Sequence, residues 1–269
     1  MDIPGLVRNP VDPRSRIFVA IGMTGLLRAE WVLARYGQAM PCNWSMLEYQ
    51  GWLDTFAPLG YLVADWRNLA VKTFLEHGYE WLVFIDHDVV LPHDFYVRLN
   101  ERIIKERIPI WSGLYFTRST PSEPILYRDW GTGYFADWRM GEQVWVKGIP
   151  MGCTVIHSSL LKAVWEESEE YKIETPKTGS QTVRRVFETP LKVHRDLQGV
   201  RVDGGTEDLN FCQRLIENRI FEKAGWPEYQ EKEYPILCDT AICCRHIDQD
   251  GTMYPAKGED VYFFPGNPR

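Results

Sequence analysis

The chain has 269 residues, 45% of them hydrophobic, which is enough for one sizeable core at the upper end of single-domain size. Its net charge of -7 argues against a nucleic-acid binder, so an anionic substrate must meet local positive groups or a metal. The six cysteines have no Cys-x-x-Cys spacing, which argues against a zinc module or a disulfide scaffold and predicts a cytoplasmic protein. The chain contains no apolar run of about 18 residues, so no transmembrane segment is predicted.

In the first half of the chain, apolar runs alternate with segments that have helical periodicity, as they do in strand-helix-strand units. The predicted elements are a strand at 16–22, a strand at 60–63, a helix from the cap Asp65 to Gly78, a strand at 80–86, a helix with the cap Asp94 and a strand at 109–116. Runs that are apolar on both faces belong in a mostly parallel sheet covered by helices, where ligands collect at the carboxyl ends of strands. The glycine loop after the first strand is therefore expected beside Asp86.

The strand that begins at Glu80 ends in Asp86-His87-Asp88. On an extended backbone the side chains of Asp86 and Asp88 leave one face and that of His87 leaves the other. Two hard oxygen donors on one face suit Mg²⁺ or Mn²⁺. A strand that simply ends in polar turn residues explains Asp-x-Asp alone equally well.

The middle of the chain, at 121–146, is broken by prolines and glycines and predicts a small β-hairpin lobe outside the main sheet. Its aromatic residues could line a sugar or lipid site, although packing against one another is the favoured interpretation. They are Trp130, Tyr134, Phe135, Trp138 and Trp145. A strand at 154–156, a helix capped by Ser158 or Ser159, and a polar loop at 174–181 are predicted to follow.

The stretch 203–208 ends in two acids, Glu207 and Asp208, in the first turn of a predicted helix. The positive end of the helix macrodipole favours the ionised form of such acids, which suits a catalytic base, although ordinary capping explains the pattern more simply. A last apolar strand at 234–244 leads to His246, which by itself is typical of a surface histidine.

Taken in order, these stretches resemble glycosyltransferases of the GT-A fold that use nucleotide-sugar donors, and in particular those like family 2. The resemblance covers roughly 16–248. The matching stretches are Asp65-Trp66-Arg67-Asn68, Asp86-His87-Asp88, Met151-Gly152-Cys153, Gly205-Thr206-Glu207-Asp208 and Cys244-Arg245-His246. In two respects the chain departs from the family: Arg67 follows Asp65-Trp66 rather than a small residue, and the hairpin lobe and tail match nothing in it.

The resemblance implies an α/β fold of the GT-A, Rossmann-like type, with a mostly parallel central sheet flanked by helices and a small β-hairpin lobe. It implies one domain at 1–248, with a nucleotide-sugar half at about 16–118 and an acceptor half at about 119–248. A tail at 249–269 follows, which either folds over the site or stays loose.

The resemblance also implies roles for single residues. Asp88 binds the divalent ion, Mn²⁺ or Mg²⁺. Asp86 contacts ribose or metal-bound water and belongs to the same site, and His246 completes the metal shell. Arg67 contacts the nucleotide. We expect Arg67 at the surface, and the alternative is that it pairs with a carboxylate such as Asp65 to hold the crossover in place. Asp208 is the base that activates the acceptor, with Glu207 beside it.

The implied activity is transfer of a sugar from a UDP- or GDP-sugar to the hydroxyl of a glycan, lipid or small-molecule acceptor, by a hexosyltransferase-type enzyme. The chemistry agrees, since the leaving nucleoside diphosphate needs a cation and the acceptor hydroxyl needs a base. The inverting reaction is favoured, and a retaining enzyme is the alternative. A nucleotidyltransferase is less favoured because the first loop has no basic residue before Arg28. A non-catalytic sugar-binding domain is less favoured because Asp86, Asp88, Asp208 and His246 are all present.

Overall fold

The computed structural model describes residues 17–23, 25–42, 60–175, 179–196, 199–256 and 259. The strands are β1 (Ile17–Ala20), β2 (Trp81–Ile85), β3 (Val89–Val90), β4 (Ile110–Leu114), β5 (Gln143–Val146), β6 (Cys153–His157), β7 (Glu170–Thr175), β8 (Gly179–Arg184), β9 (Leu191–Asp196), β10 (Gly199–Gly204), β11 (Ile236–Cys243), β12 (Arg245–Ile247) and β13 (Met253–Tyr254). The helices are α1 (Ala29–Tyr36), α2 (Val63–Glu76), α3 (Phe95–Lys105), α4 (Ser158–Glu167), α5 (Glu207–Glu217), α6 (Ile220–Lys223) and α7 (Pro227–Gln230). Within these ranges, no helix combines the length and apolar character needed to cross a membrane.

A six-stranded sheet in the order β1-β2-β6-β4-β11-β5 forms the centre of the fold. The pairs β1-β2 and β4-β11 are parallel, while β6 runs antiparallel between β2 and β4 and β5 runs antiparallel to β11. Four of the six strands therefore share one direction. The predicted α/β class, with a mostly parallel sheet flanked by helices, is confirmed at this level.

Strand β2 shows why the central strands are continuously apolar. Leu82 and Phe84 pack on one face of the sheet in a cluster that includes residues of α2, α4 and α5. Trp81, Val83 and Ile85 pack on the other face with residues of α1 and α3. Because successive side chains point to opposite faces and helices cover both, every position of this strand is buried.

The hairpins lie in a different part of the chain from the one predicted. The segment at 143–146 is strand β5 of the central sheet. The segment at 121–127 forms two isolated bridges, Pro124 with Phe116 and Tyr127 with Gly148, so a hairpin lobe at 121–146 is wrong. The hairpins are instead β7-β8 and β9-β10. The polar loop predicted at 174–181 is wrong at 174–175 and 179–181, which belong to β7 and β8, and its residues 176–178 lie outside the described residues. In the first hairpin, the side chains described as buried are those of Ile173 and Val183, which pack against Leu69. One buried side chain in each strand does not produce a recognisable alternation of apolar and polar residues in the sequence.

Three further predictions, one strand and two helix caps, also differ from the structure. The strand predicted at 60–63 is wrong, because Val63 already begins α2 and a short apolar run cannot distinguish a strand from a helix start. The N-cap of α2 is Leu62, while Asp65 accepts a hydrogen bond from the Tyr171 hydroxyl at 2.7 Å. The cap of α4 is the ring of His157 rather than Ser158 or Ser159.

Strand β12 brings the C-terminal part of the chain to the end of β2. It pairs antiparallel with β3, which directly follows Asp88, and this pairing sets His246 opposite Val89. The N–H of Ile247 donates to the Asp88 carbonyl at 2.8 Å. Strand β13 pairs with the other edge of β12, so this portion of the predicted tail packs beside the same point.

Candidate active site

The two acids of the Asp-x-Asp element lie in a turn. Strand β2 ends at Ile85, and the N–H of Val89 donates to the Asp86 carbonyl at 3.1 Å, which closes the turn. The N–H of Asp86 donates to the Gly152 carbonyl at 2.9 Å. The expectation that both carboxylates leave one face of an extended strand is therefore wrong, and Asp86 and Asp88 have different partners.

The carboxylate of Asp86 lies against the buried guanidinium of Arg67. Nη2 of Arg67 is 3.2 and 3.0 Å from the two Asp86 oxygens and 3.6 Å from Oε1 of Glu207. Arg67 is only 2% exposed, so the expectation of a surface position is wrong. Aromatic rings flank the guanidinium, those of Trp66, Phe84 and Phe187. Burial raises the pKa of both Asp86 and Glu207, and the charge of Arg67 only partly opposes this.

Asp88 has more exposed partners. Its Oδ2 is 3.5 Å from Nε2 of His246 and 3.2 Å from Nη1 of Arg118. Burial acts to raise the pKa of Asp88, but the hydrogen bond and charge of His246 together with other nearby positive groups outweigh it and hold that pKa below its ordinary value. Arg118 was not predicted, because it lies in a loop outside every motif and nothing local in the sequence marks it.

The ring of His246 is fixed from two sides. Its Nδ1 lies 2.9 Å from the carbonyl oxygen of Phe116, and a carbonyl can only accept, so Nδ1 carries the proton. The ring of Tyr115 packs edge-on at 5.3 Å. With Nδ1 bonded in this way, Nε2 is the ring nitrogen on the side of Asp88. The predicted pair of Asp88 and His246 is thus brought together.

This pair fits a divalent ion as part of a larger ligand set. Across the described ranges, no group of three or more His, Cys, Asp and Glu residues is arranged to hold a metal. Carboxylates suit Mg²⁺ and Mn²⁺, imidazole is the commonest metal ligand, and Mg²⁺ sites often use one or two protein groups completed by waters and substrate phosphates. Asp88 and His246 fit such an ion, whereas Asp86 is occupied by Arg67.

A small pocket opens beside the two acids. It is lined by Gly22, Met23, Tyr61, Val63, Trp66, Asp86, His87 and Asp88. A Cβ at Gly22 would lie 2.2 Å from the indole of Trp66, so a side chain at this position cannot be accommodated without moving the ring. Gly22 and Met23, which follow β1, thus lie beside the carboxylates, while Thr24 of the predicted loop lies outside the described residues. The pocket combines aromatic and apolar walls with acids on one side.

Gly152 lets the chain pass close to Asp86. A Cβ here would lie 2.6 Å from the Tyr115 hydroxyl and 2.9 Å from Oδ2 of Asp86. The N–H of Gly152 donates to the same hydroxyl at 2.8 Å. The glycine of the Met151-Gly152-Cys153 stretch is therefore required by the space around Asp86.

The two acids at the start of α5 have different surroundings. Glu207 is turned to Arg67, and 13% of its side chain is exposed. Asp208 is partly buried, accepts the N–H of Leu209 at 3.0 Å and forms no ion pair with any described residue. Asp208 lies close enough to Tyr127 to add to the rise in that tyrosine's pKa, which is caused mainly by burial. Of the two acids, Asp208 is the one without a cationic partner.

The aromatic residues of the middle segment mainly pack, as favoured by the sequence. Trp138 is buried, and the ring of Phe135 stacks on the guanidinium of Arg128 at 3.7 Å. Trp130 and Leu209, the residue after Asp208, both lie against Gly148.

No protein-family model matches the chain, and no curated protein matches it. A solved structure, "Crystal Structure of A197 from STIV", is similar to it with 17% sequence identity and a TM-score of 0.49, covering 88% of each chain.

Proposed function

We propose that the protein is a metal-dependent glycosyltransferase of the GT-A type, which moves a sugar from a nucleotide-diphosphate sugar to an acceptor hydroxyl. The observation that carries the proposal is the meeting of Asp88 and His246 at 3.5 Å, with the ring held by the Phe116 carbonyl. This is the metal-binding pair that the resemblance implies. The acids of α5 support it too, because Arg67 contacts both Asp86 and Glu207.

On the donor side, the pocket beside Trp66 and Tyr61 suits the nucleoside of a UDP- or GDP-sugar. Asp88 and His246 would hold Mn²⁺ or Mg²⁺, whose charge offsets the negative charge that develops on the leaving nucleoside diphosphate. Asp86, with its N–H bonded to the Gly152 carbonyl, is the candidate for the ribose or a metal-bound water. Arg67 acts by positioning these acids, because it is buried behind them.

On the acceptor side, Asp208 is the proposed base. It takes the proton of the acceptor hydroxyl while that oxygen bonds to the anomeric carbon and the bond from this carbon to the diphosphate oxygen breaks. Asp208 lies in the first turn of α5 and has no described ion-pair partner, whereas Glu207 is committed to Arg67. This reaction inverts the anomeric carbon. A retaining enzyme with the same metal pair is the alternative.

A panel of nucleotide sugars tests the proposal through melting temperature and donor hydrolysis, with and without Mn²⁺. We expect one donor class to stabilise the protein only with metal, by about 2.7 kcal/mol at a hundredfold excess over Kd. The substitutions Asp88→Ala and His246→Gln should abolish the metal dependence. Asp94→Ala, which removes an acid from a surface pair with Arg98, is the matched control. Absence of any metal-dependent donor, or an unchanged response in Asp88→Ala, would contradict the proposal.

A further inference from the structure

Arg118 places a second cationic group on the oxygen that His246 also approaches. Its Nη1 is 3.2 Å from Oδ2 of Asp88 and 3.4 Å from Oδ1 of Asp248, and 43% of its side chain is exposed. Nε2 of His246 is 3.5 Å from the same Oδ2 of Asp88. One carboxylate oxygen therefore has two nitrogen partners, and a metal held by Asp88 and His246 would compete with Arg118 for it.

The side chains of His246 and Arg118 are constrained to different degrees. His246 belongs to strand β12, its Nδ1 donates to a backbone carbonyl, and only 14% of its side chain is exposed. The backbone of Arg118 lies in a loop where the preceding Thr117 accepts the N–H of Glu123 through its hydroxyl at 3.0 Å. Among the residues that the structure describes, its guanidinium forms ion pairs with two partly exposed carboxylates, Asp88 and Asp248. The guanidinium can therefore leave while the backbone stays in place.

We infer that Arg118 releases Asp88 when a divalent ion binds there and then binds the diphosphate of the donor, an inference that rests on the proposed function. The ion carries twice the charge of the guanidinium and repels it at short range, so the more exposed cation is displaced. Asp248 keeps the released guanidinium at the edge of the site. Its other oxygen accepts from the Tyr254 hydroxyl at 3.1 Å, which orients this carboxylate.

The charges around the site explain why a diphosphate needs Arg118. Arg67, the other arginine that contacts the site acids, is buried and committed to Asp86 and Glu207. A guanidinium binds phosphate oxygens through two parallel N–H bonds, a geometry that a single metal ion does not supply. Arg118 can thus provide a movable positive charge to a substrate that carries two phosphates, in a site otherwise rich in carboxylates.

Two titrations by calorimetry separate the parts of this inference: Mn²⁺ alone, and inorganic pyrophosphate at saturating Mn²⁺. In Arg118→Gln we expect Mn²⁺ to bind at least as tightly as in the wild type, because the competing cation is gone. Pyrophosphate should bind about tenfold more weakly, because a charge-assisted hydrogen bond is lost. In Asp248→Asn pyrophosphate should bind more tightly, since Arg118 loses its alternative partner.

Arg98→Gln is the matched control, because Arg98 has a similar exposure of 38% and pairs with Asp94 outside this site. Both of its titrations should match the wild type. The inference is overturned if Arg118→Gln weakens the binding of Mn²⁺ alone, if it binds pyrophosphate as Arg98→Gln does, or if the wild type binds no Mn²⁺. A wild type that gives both expected titrations but binds no nucleotide sugar would contradict the glycosyltransferase activity while supporting the role of Arg118.

Discussion

Asp86 and Asp88 leave the same turn, two residues apart, and each pairs with an arginine from elsewhere in the chain. The partner of Asp86 is Arg67, whose side chain is 3% exposed, whereas the partner of Asp88 is Arg118, whose side chain is 43% exposed. Removing a buried partner strands a charge away from water, while water can replace an exposed one. One short motif therefore combines a fixed acid with an acid whose partner can be exchanged.

Asp86, the fixed acid of the motif, is also connected through Arg67 to the proposed acceptor side of the site. Arg67 contacts Asp86 at the end of β2 and Glu207 at the start of α5, so it links the two elements that carry the proposed metal site and base. The exchangeable half is joined to β12 and the following residues through His246 and Arg118. Substitutions at the two arginines should consequently differ in kind, one acting on stability and the other on ligand binding.

The largest expected effect is the loss of stability in Arg67→Met. Removing the cation leaves the largely buried side chains of Asp86 and Glu207, 24% and 13% exposed, without their shared partner, which should cost about 3–5 kcal/mol. Arg118→Gln should change the free energy of unfolding by no more than about 1 kcal/mol, as usual for an exposed pair. Urea denaturation measures both. Adding Glu207→Gln to Arg67→Met should recover part of the loss, and equal costs for the two single arginine variants would remove the distinction drawn between the acids.

The next effect separates the two acids of α5. Asp208→Asn keeps the size of the side chain and removes its basicity, so it should lower turnover by on the order of 10²-fold while metal and donor binding stay intact. Glu207 is already paired with Arg67, so Glu207→Gln should mainly change the stability of the protein. Single-turnover kinetics with the identified donor measure both. Near-normal transfer by Asp208→Asn would point to Glu207 or to a retaining reaction, which product anomers by NMR distinguish.

Local patterns in the sequence predicted the parts of the fold that depend on periodicity, such as β2, β4 and the helix at Phe95–Lys105. They did not predict the turn at Asp86, the burial of Arg67 or the contact of Arg118, because these depend on where distant segments meet. The meeting of Asp88 and His246 was expected from a resemblance rather than from periodicity. Its physical cause is the pairing of β3 with β12, two strands too short to leave a pattern.

The third effect concerns the space around the fixed acid. In Gly152→Ala, the new methyl group would press on the Tyr115 hydroxyl and the Asp86 carboxylate, and such overpacking typically costs about 1–3 kcal/mol. Tyr115→Phe removes the nearest contact, but it also removes the acceptor of the Gly152 N–H, so it needs its own measurement. Gly152→Ala should cost less in a Tyr115→Phe chain than in the wild type. Thermal unfolding of the single and double variants tests this. A harmless Gly152→Ala would mean that Asp86 is less firmly held than its contacts with Arg67 indicate.

The smallest effect is a difference in pH dependence. Burial raises the pKa of Glu207 above its ordinary value of 4.5, so the folded protein keeps this proton at a pH where the unfolded chain has lost it. The free energy of unfolding must then fall as pH rises from 4.5 through the raised pKa, by about 1.4 kcal/mol for each tenfold difference in proton affinity. The pKa of Asp88 is instead held below 3.8, so its stabilisation is lost only as pH falls through that lower range.

Urea denaturation as a function of pH should therefore show opposite changes in two variants. Glu207→Gln should flatten the fall in stability above pH 4.5, with part of the slope remaining because the pKa of Asp86 is also raised by burial. Asp88→Asn should leave that fall unchanged and flatten the loss of stability below pH 3.8. If both variants altered the same pH range, the two halves of the site would share one titrating network, and the separation between a fixed and an exchangeable acid would not hold.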